Sequence, residues 1–437
     1  MNQDAPREEW ASRLGFLLAA VGSAVGLGNM WRFSYLTAEN GGAAFLVLYM
    51  GITLLVGLPV LLAEFVLGRG ARRGPIGALA HYGGRGWASL GWLFVGTGFL
   101  ILSYYSVISG WTLRYALTAL VRGFPADAGA FFESVATGPA AIAWHVGFMA
   151  ISIAIVRGGV KQGIERTALV LMPLLFLLVV GLALYATTLD GARAGYRFYL
   201  EADLGALTDP KVLQAAAGQA FFSLSLGMGA MMTYASYLGQ NEHLPNESLV
   251  VAIADFGVAF VAGLAVFPMI FALGLQTDVG ESTVGALFIT LPKTFASMGG
   301  AGRLVGTLFF VALVVGALTS AISLLEVAVA AAVSGLGWSR HRAATVLGAV
   351  IAVLGIPSAL SLDTLGFLDQ LAGNVFLVFG GLMLALFVGW AMRDPMAEVR
   401  LGAEGVAWFG LWRWLLRIPV PIVLAVVLVQ SLRALFG

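Results

Sequence analysis

Long runs of apolar residues divide the chain into eleven stretches, each of which is long enough to cross a lipid bilayer. A spanning helix needs about 20 mostly apolar residues. The runs lie at 11–37, 41–69, 88–121, 140–157, 166–187, 213–239, 248–274, 303–333, 342–358, 365–391 and 418–436. A membrane β-barrel would show short segments of alternating polarity instead. The pattern therefore predicts an all-α polytopic membrane protein with a single membrane domain over residues 1–437.

The composition agrees with a chain that lies mostly in lipid. Charged residues make up 11% of the sequence, whereas soluble domains contain about 25%. This excludes a soluble enzyme and a nucleic-acid-binding module. The 24 basic and 23 acidic residues leave no charge excess that would attract a nucleic acid, and the chain has no cysteine for disulfides or thiolate metal sites. The expected partner is the lipid bilayer.

The basic residues between the spans predict the orientation. Most of them fall on the side of the N-terminus, and Lys and Arg are enriched in cytoplasmic loops. We therefore expect a cytoplasmic N-terminus. An odd number of spans then places the C-terminus outside the cytoplasm.

Two spans carry a pair of glycines at the centre of the membrane. Gly26 and Gly28 interrupt the first span, and Gly227 and Gly229 interrupt the sixth. Each glycine costs about 1 kcal/mol in a helix interior, and a break frees backbone groups that lipid cannot satisfy. One such pair could simply permit close helix packing. Two pairs in the same register predict two related halves, 11–187 and 213–391, with 418–436 as an additional C-terminal helix.

The sequence around these breaks resembles the neurotransmitter:sodium symporter family. The segments that carry the resemblance are "REEWASRLGFLLAAVGSAVGLGNMWRF", "AENGGAAF", "KQGIER", "GQAFFSLSLGMGAMMTYASY", "ITLPKTF" and "GALTSAIS". The resemblance implies a five-plus-five inverted repeat with discontinuous first and sixth helices. It also implies a bacterial amino acid:sodium symporter in the plasma membrane, with its site at the midplane. The family usually has twelve spans, and this chain has eleven.

The resemblance further implies one or two bound Na⁺ ions, and Na⁺ is a hard cation that favours oxygen ligands. The first sodium site is predicted at Ala24, Asn29, Ser223 and Asp255. The second is predicted at Gly22, Val25, Gly316, Thr319 and Ser320. Without the resemblance, the hydroxyls of Thr319 and Ser320 could equally bond to the preceding helical turn.

The same resemblance assigns a substrate pocket between the breaks. Its predicted residues are Ala24, Gly26, Leu27, Gly28, Ile101, Tyr105, Phe222, Ser223, Ser225, Met228, Gly229, Ser320, Ala321 and Leu324. None of them is charged, and a charged substrate side chain would be buried without a partner. The predicted substrate is therefore a hydrophobic L-amino acid, branched or aromatic.

Gate residues are implied on both sides of the pocket. The outer gate is assigned to Arg32, Asp369, Gln219 and Phe222, with an ion pair between Arg32 and Asp369. The inner gate is assigned to Arg7, Trp10, Ser236 and Tyr237. Ser334 stands where the family has an acidic inner partner, so the counter-charge of the inner gate is not identified from the sequence.

Besides Asp369 of the outer gate, three acidic residues lie within spans, where ionisable groups indicate function. Animal relatives have a neutral residue at Asp255 and bind chloride nearby, so we expect no chloride requirement. Glu64 is expected to support a hydrogen-bond network. Glu326 fits a buried structural contact and a place on the ion path equally well.

Three other functions remain as alternatives. An intramembrane enzyme would need a nucleophile with its base, or metal ligands, at membrane depth. A channel or a non-transporting receptor could use the same scaffold. A proton-coupled amino acid transporter could share the inverted repeat, although the hydroxyls of Thr319 and Ser320 favour sodium.

Overall fold

The computed structural model describes residues 8–201, 204–272, 286–403 and 408–436, and within these ranges the chain is helical without β-strands. The helices are α1 (Arg13–Ala24), α2 (Gly28–Glu39), α3 (Ala43–Ala71), α4 (Pro75–Gly83), α5 (Ala88–Val121), α6 (Ala128–Ala136), α7 (Gly138–Arg157), α8 (Val160–Ala186), α9 (Ala192–Leu200), α10 (Pro210–Ser223), α11 (Ala230–Ala235), α12 (Leu244–Ala272), α13 (Leu291–Ser297), α14 (Gly299–Leu336), α15 (Arg340–Leu360), α16 (Leu362–Ala391), α17 (Pro395–Arg400), α18 (Phe409–Arg417) and α19 (Pro419–Phe436).

Nine helical segments in the described part of the chain are long and apolar enough to cross a membrane, and the bent pair of α1 and α2 adds a tenth. The remaining predicted span, 213–239, is divided between α10 and α11, which are short because the helix is interrupted. The all-α membrane fold predicted from the sequence is confirmed. The two interrupted spans occupy equivalent places, each at the start of a set of five.

The first break lies between α1 and α2. Val25 is extended, with φ −81° and ψ 97°, and the axes of the two helices differ by 57°. Gly26 leaves no room for a side chain, because a Cβ atom there would lie 2.4 Å from Ser320 Oγ and 2.8 Å from the hydroxyl oxygen of Tyr105. The glycine therefore allows the broken backbone to approach α5 and α14 closely.

The second break depends on glycine for a different reason. Ser225, Gly227 and Gly229 have φ values of 54°, 74° and 74°, in the left-handed region that glycine adopts readily. Glu64 of α3 pairs two backbone groups beside this break, because its carboxylate accepts from Gly227 N at 2.9 Å and Met232 N at 3.1 Å. Glu64 thus supports a hydrogen-bond network, as the sequence predicts.

Helix α14 is the central element of the bundle. It runs for 38 residues, and its middle portion is almost wholly buried. It packs along α5 and contacts α1, α8, α11 and α15. Both breaks therefore face a continuous helix that holds their unwound backbone in place.

Substitution of Gly227 by alanine tests the second break. A Cβ atom at Gly227 would lie 2.5 Å from the Leu377 carbonyl oxygen, and positive φ costs a non-glycine residue about 1–2 kcal/mol. We expect Gly227→Ala to lower the thermal unfolding midpoint of the purified protein in detergent. The control is Gly257→Ala, because a Cβ atom there meets nothing within 4 Å and alanine favours helix. Equal midpoints for the two variants would contradict this account of the break.

Candidate functional site

A small buried cavity lies where the two breaks face α5 and α14. Its volume is about 20 Å³, which is space for about one water molecule. The described residues that line it are Ser23, Ala24, Gly26, Gly28, Ile101, Tyr105, Phe222, Ser225, Met228, Ser320 and Leu324. None of these carries a charge, and the cavity is closed in this conformation.

Most residues predicted for the substrate pocket line this cavity. The predicted residues that do not line it are Leu27, Ser223, Gly229 and Ala321. Ser223 points instead to Asp255, and a Cβ atom on Gly229 would lie 2.4 Å from Pro75 Cγ. Ser223 therefore belongs to the cluster around Asp255, and Gly229 allows the backbone to pass close to Pro75.

Ser23 is a lining residue that the sequence analysis missed. Its carbonyl oxygen accepts from Ser225 Oγ at 2.8 Å and from Ser320 Oγ at 3.2 Å. It therefore joins the first span to both the second break and α14. The only signal for it in the sequence was its position between Gly22 and Ala24, which were themselves predicted ligands.

The cavity has one polar and one apolar end. At the polar end the hydroxyl oxygen of Tyr105 accepts from Leu27 N at 3.2 Å. The start of α2 lies beside it, where a helix N-terminus favours negative charge. Ile101, Met228 and Leu324 supply apolar side chains to the wall. Such an arrangement suits a small molecule with an anionic group and an apolar side chain.

Asp255 is the centre of a buried cluster next to the cavity. Asn29 Nδ2 donates to Asp255 Oδ1 at 2.7 Å and to its carbonyl oxygen at 3.0 Å. Ser223 Oγ donates to both carboxylate oxygens, at 2.8 and 2.9 Å. Three side chains predicted for the first sodium site are thus in direct contact, and Ala24 lines the adjacent cavity.

Tyr49 of α3 is a fourth member of this cluster, and the sequence analysis did not find it. Its hydroxyl donates to Asp255 Oδ2 at 3.2 Å and lies 3.2 Å from Ser223 Oγ. Tyr49 stands in an apolar run and stacks on Phe45. From the sequence alone it is indistinguishable from a packed aromatic residue.

The residues predicted for the second sodium site also converge. Ser320 Oγ lies 3.4 Å from the Gly22 carbonyl oxygen, and a Cβ atom on Gly316 would lie 3.5 Å from the Val25 carbonyl oxygen. Thr319 Oγ1 donates to the Gly316 carbonyl oxygen at 3.1 Å. Thr319 thus bonds within its own helix, whereas Ser320 reaches across to α1.

In the predicted outer gate, the ion pair between Arg32 and Asp369 is not formed in this structure. Arg32 Nη2 donates instead to Asn374 Oδ1 at 2.8 Å, and its guanidinium carbon lies 4.9 Å from the centre of the Phe222 ring. Asp369 Oδ1 accepts from the Tyr104 hydroxyl at 3.1 Å. The two charges are held apart because each already has a polar partner nearby.

Gln219, the remaining residue of the predicted outer gate, bonds to the first break. Its Nε2 donates to the Gly28 carbonyl oxygen at 2.8 Å. Phe222 packs over the same residue, since a Cβ atom on Gly28 would lie 3.0 Å from Phe222 Cδ1. Both side chains therefore cover the cavity from the outer side.

We use "N-terminal face" for the end of the bundle that carries residues 8–12, which the sequence predicts to be cytoplasmic. Trp10 Nε1 donates to the Tyr234 carbonyl oxygen at 2.9 Å, and its backbone N donates to the Tyr237 carbonyl oxygen at 3.3 Å. Glu165 accepts from Ala11 N and Ser12 Oγ, at 2.7 and 2.8 Å. These bonds hold residues 10–12 against the bundle and so close the N-terminal face at the start of α1.

The other two residues of the predicted inner gate are Ser236 and Arg7. Ser236 Oγ donates to the Thr233 carbonyl oxygen at 2.7 Å. Arg7 lies outside the described residues.

A buried ionic network lies at the N-terminal face. Glu326 Oε1 accepts from the Tyr237 hydroxyl at 2.6 Å, and Glu326 Oε2 pairs with Arg340 Nη2 at 2.5 Å. Arg340 also pairs with Glu8 at 3.0 Å. Ser334, which replaces the family's acid, donates only to carbonyls of its own helix. The buried acid of α14 therefore lies two turns before Ser334.

Known proteins resemble this chain in both sequence and fold. The profile of the sodium:neurotransmitter symporter family matches residues 7–133 and 132–435. An uncharacterised sodium-dependent transporter of Bacillus subtilis is 38% identical, over 96% of this chain and 96% of its own. One of Methanocaldococcus jannaschii is 34% identical, over 96% of this chain and 89% of its own. The crystal structure of MhsT in complex with L-phenylalanine matches with a TM-score of 0.89 and 44% identity, and the match covers 97% of this chain and 100% of that chain.

The ionic network at the N-terminal face is tested by Glu326→Gln. The change removes the charge that Arg340 and Tyr237 share, and a hydrogen bond to a charged group contributes about 1.5–3 kcal/mol. We expect the closed form to be weakened. A single cysteine introduced by Ala19→Cys in buried α1 should then react about tenfold faster with a thiol reagent. The chain has no cysteine of its own, so only this position is labelled.

Ser334→Ala is the matched control for the labelling experiment. Its hydroxyl bonds only within its own helix, so the labelling rate should stay at that of the parent protein. If Glu326→Gln labels no faster than Ser334→Ala, the network does not hold the N-terminal face closed.

Proposed function

Because this chain belongs to the sodium:neurotransmitter symporter family, we propose that it imports a hydrophobic L-amino acid together with Na⁺ and without chloride. It is a membrane transporter and not an enzyme, and the bacterial relative described above is named as sodium-dependent. The observation that carries the substrate assignment is the uncharged cavity between the breaks, which has one polar and one apolar end.

The polar end of the cavity fits the carboxylate and the amino group that all amino acids share. The substrate carboxylate meets the backbone N–H groups at the first break and the hydroxyl of Tyr105, which already accepts from Leu27 N. The positive end of the α2 dipole stabilises this negative charge. The amino group meets carbonyl oxygens near Phe222 and Ser225. A substrate with these two groups occupies both breaks at once.

The apolar end accounts for the side chain. Ile101, Met228 and Leu324 leave no partner for a charge, and a buried unpaired charge costs several kcal/mol. The closed cavity of about 20 Å³ must expand to hold an amino acid side chain. Methionine is flexible and adapts to several shapes, so Met228 suits both branched and aromatic substrates. The L-phenylalanine in the MhsT complex supports this substrate class.

Sodium coupling follows from the cluster around Asp255. Asn29, Ser223 and Asp255 collect hard oxygens beside the cavity, and the substrate carboxylate completes the shell of the first Na⁺. Each ligand therefore stabilises binding of the other by the same coupling free energy. The second Na⁺ binds between α1 and α14, at the carbonyls and hydroxyls that Ser320 brings together.

Chloride independence follows from the charge of Asp255. A fixed carboxylate beside the first Na⁺ supplies the negative charge that chloride supplies in relatives with a neutral residue there. The three donors from Asn29, Ser223 and Tyr49 hold this carboxylate in place. No mobile anion is then needed to balance the cation.

Transport proceeds by alternating access in the plasma membrane of a bacterium, with the N-terminal face in the cytoplasm. Arg32, Gln219 and Phe222 cover the cavity from outside, and Trp10 with the Glu326 network closes it from inside. Na⁺ and substrate stabilise this doubly closed state. Opening of the N-terminal face then releases the second Na⁺ first and the amino acid afterwards.

Uptake into proteoliposomes tests the proposed substrate and ion. We expect accumulation of a labelled apolar amino acid with an inward Na⁺ gradient and none when choline replaces Na⁺. Branched and aromatic amino acids should compete, whereas aspartate, glutamate, lysine and arginine should not, because the cavity offers their charges no partner. Uptake driven by a proton gradient in choline would favour the proton-coupled alternative. Binding without accumulation would favour a receptor.

Asp255→Asn tests whether the carboxylate of Asp255 takes the place of chloride. The parent protein should take up substrate equally in chloride and in gluconate. The variant loses a negative charge beside the first Na⁺, so its uptake should fall in gluconate and recover partly in chloride. Glu133→Gln removes a charge from an exposed position and should behave like the parent protein. A chloride requirement in the parent protein would disprove this role for Asp255.

A further inference from the structure

A second cavity opens on the outside of the bundle, between α16 and α19. Its volume is about 380 Å³. Leu382 and Leu386 of α16 face Pro421, Ile422 and Ala425 of α19 across it. These side chains lie on membrane-spanning helices, so the groove faces lipid hydrocarbon. Its apolar walls match the chemistry of an acyl chain.

One end of this groove carries a cation without an acidic partner. Arg417 Nε donates to the Gly389 carbonyl oxygen at 2.7 Å, and the guanidinium carbon lies 5.3 Å from the Trp390 ring centre. No carboxylate of the described residues pairs with Arg417. Arg413 lies one helical turn earlier, on the same side of α18. Its Nε is also buried without a hydrogen-bond partner in the described structure.

Helix α18 forms the start of the last apolar span, which runs from Phe409 to Leu435. Phe409, Trp412 and Leu416 are buried against the bundle, whereas Leu411 and Trp414 are 55% and 50% exposed. Exposed tryptophans beside arginines are typical of the end of a spanning helix at the membrane interface. The headgroup region is therefore the expected surrounding of α18.

The position of α18 assigns the groove to one leaflet. Helix α17 precedes it and is bonded to the end of α3, where Arg69 pairs with Glu398 at 2.6 Å. Arg72, three residues further along, pairs with Glu9 at 2.5 Å. The arginine end of the groove therefore lies at the N-terminal face, which the proposed function places in the cytoplasm.

We propose that this groove binds an anionic phospholipid of the cytoplasmic leaflet. Its phosphate lies at Arg417 and Arg413, and one acyl chain lies between α16 and α19. Two cations without acidic partners favour a lipid with net negative charge over a zwitterionic one. The bound lipid stabilises α16, the helix whose Asn374 bonds to Arg32 above the substrate cavity.

Lipid retention by the purified full-length protein tests this site. Native mass spectrometry would compare phosphatidylglycerol with phosphatidylcholine added to the protein in detergent. We expect the parent protein to retain phosphatidylglycerol about fivefold better. Arg417→Gln should abolish this preference, and Arg417→Lys should keep most of it. The control Arg393→Gln removes an exposed charge outside the groove and should leave the preference unchanged.

A second variant examines the groove without touching its charge. Ile422→Trp fills the space between α16 and α19 and should reduce retention of both lipids, with amino acid uptake as the test of folding.

An unchanged preference in Arg417→Gln would overturn the proposal. Displacement of the lipid by glycerol 3-phosphate would also overturn it, because the acyl chain would then add nothing. A dimer in the parent protein that Ile422→Trp dissociates would mean that a second copy occupies the groove.

Discussion

The structure depends on the pairing of backbone polar groups inside the membrane. Lipid offers no hydrogen bonds, so an interrupted helix persists only where other groups accept or donate in place of water. Glu64 pairs two amides beside the second break, and Asn29 and Tyr105 pair the amides of the first break. The uncharged cavity lies between these two breaks. The same backbone groups that make the breaks costly in lipid provide its polar end.

The buried charges around this cavity are likewise paired with hydrogen-bond donors. The cavity wall has no charged residue among those described, whereas Asp255, Glu64 and Glu326 are fully buried nearby. Each has donors that hold its carboxylate: side-chain donors around Asp255, backbone amides at Glu64, and Tyr237 with Arg340 at Glu326. Buried acids of this kind are tolerated because they are paired. Asp255 joins α12 to the first break, Glu64 holds the second break, and Glu326 holds the N-terminal face together.

The two sides of the cavity are closed by different kinds of contact. The outer side uses side-chain packing and single hydrogen bonds, with Phe222 under Arg32 and Gln219 on Gly28. The N-terminal face uses a buried ion pair and several bonds to the segment before α1. The absence of a direct bond between Arg32 and Asp369 leaves the outer closure with fewer ionic contacts. Among the described residues, the N-terminal face is therefore closed by more polar contacts than the side of Arg32 and Phe222.

The sequence by itself determined the features that depend on local length and composition. Apolar runs of sufficient length predicted the spans, and the paired glycines at Gly26 and Gly227 predicted where helices break. The family motifs predicted that Asn29, Ser223 and Asp255 lie together, and their side chains are in direct contact. The sequence did not reveal Tyr49 in the ion cluster, or Arg340 and Glu8 as partners of Glu326.

It also did not show that Arg32 bonds to Asn374. Spans and breaks follow from residues that are neighbours in the chain. These pairings instead join distant segments, and only the angles at which the helices pack decide which polar groups meet.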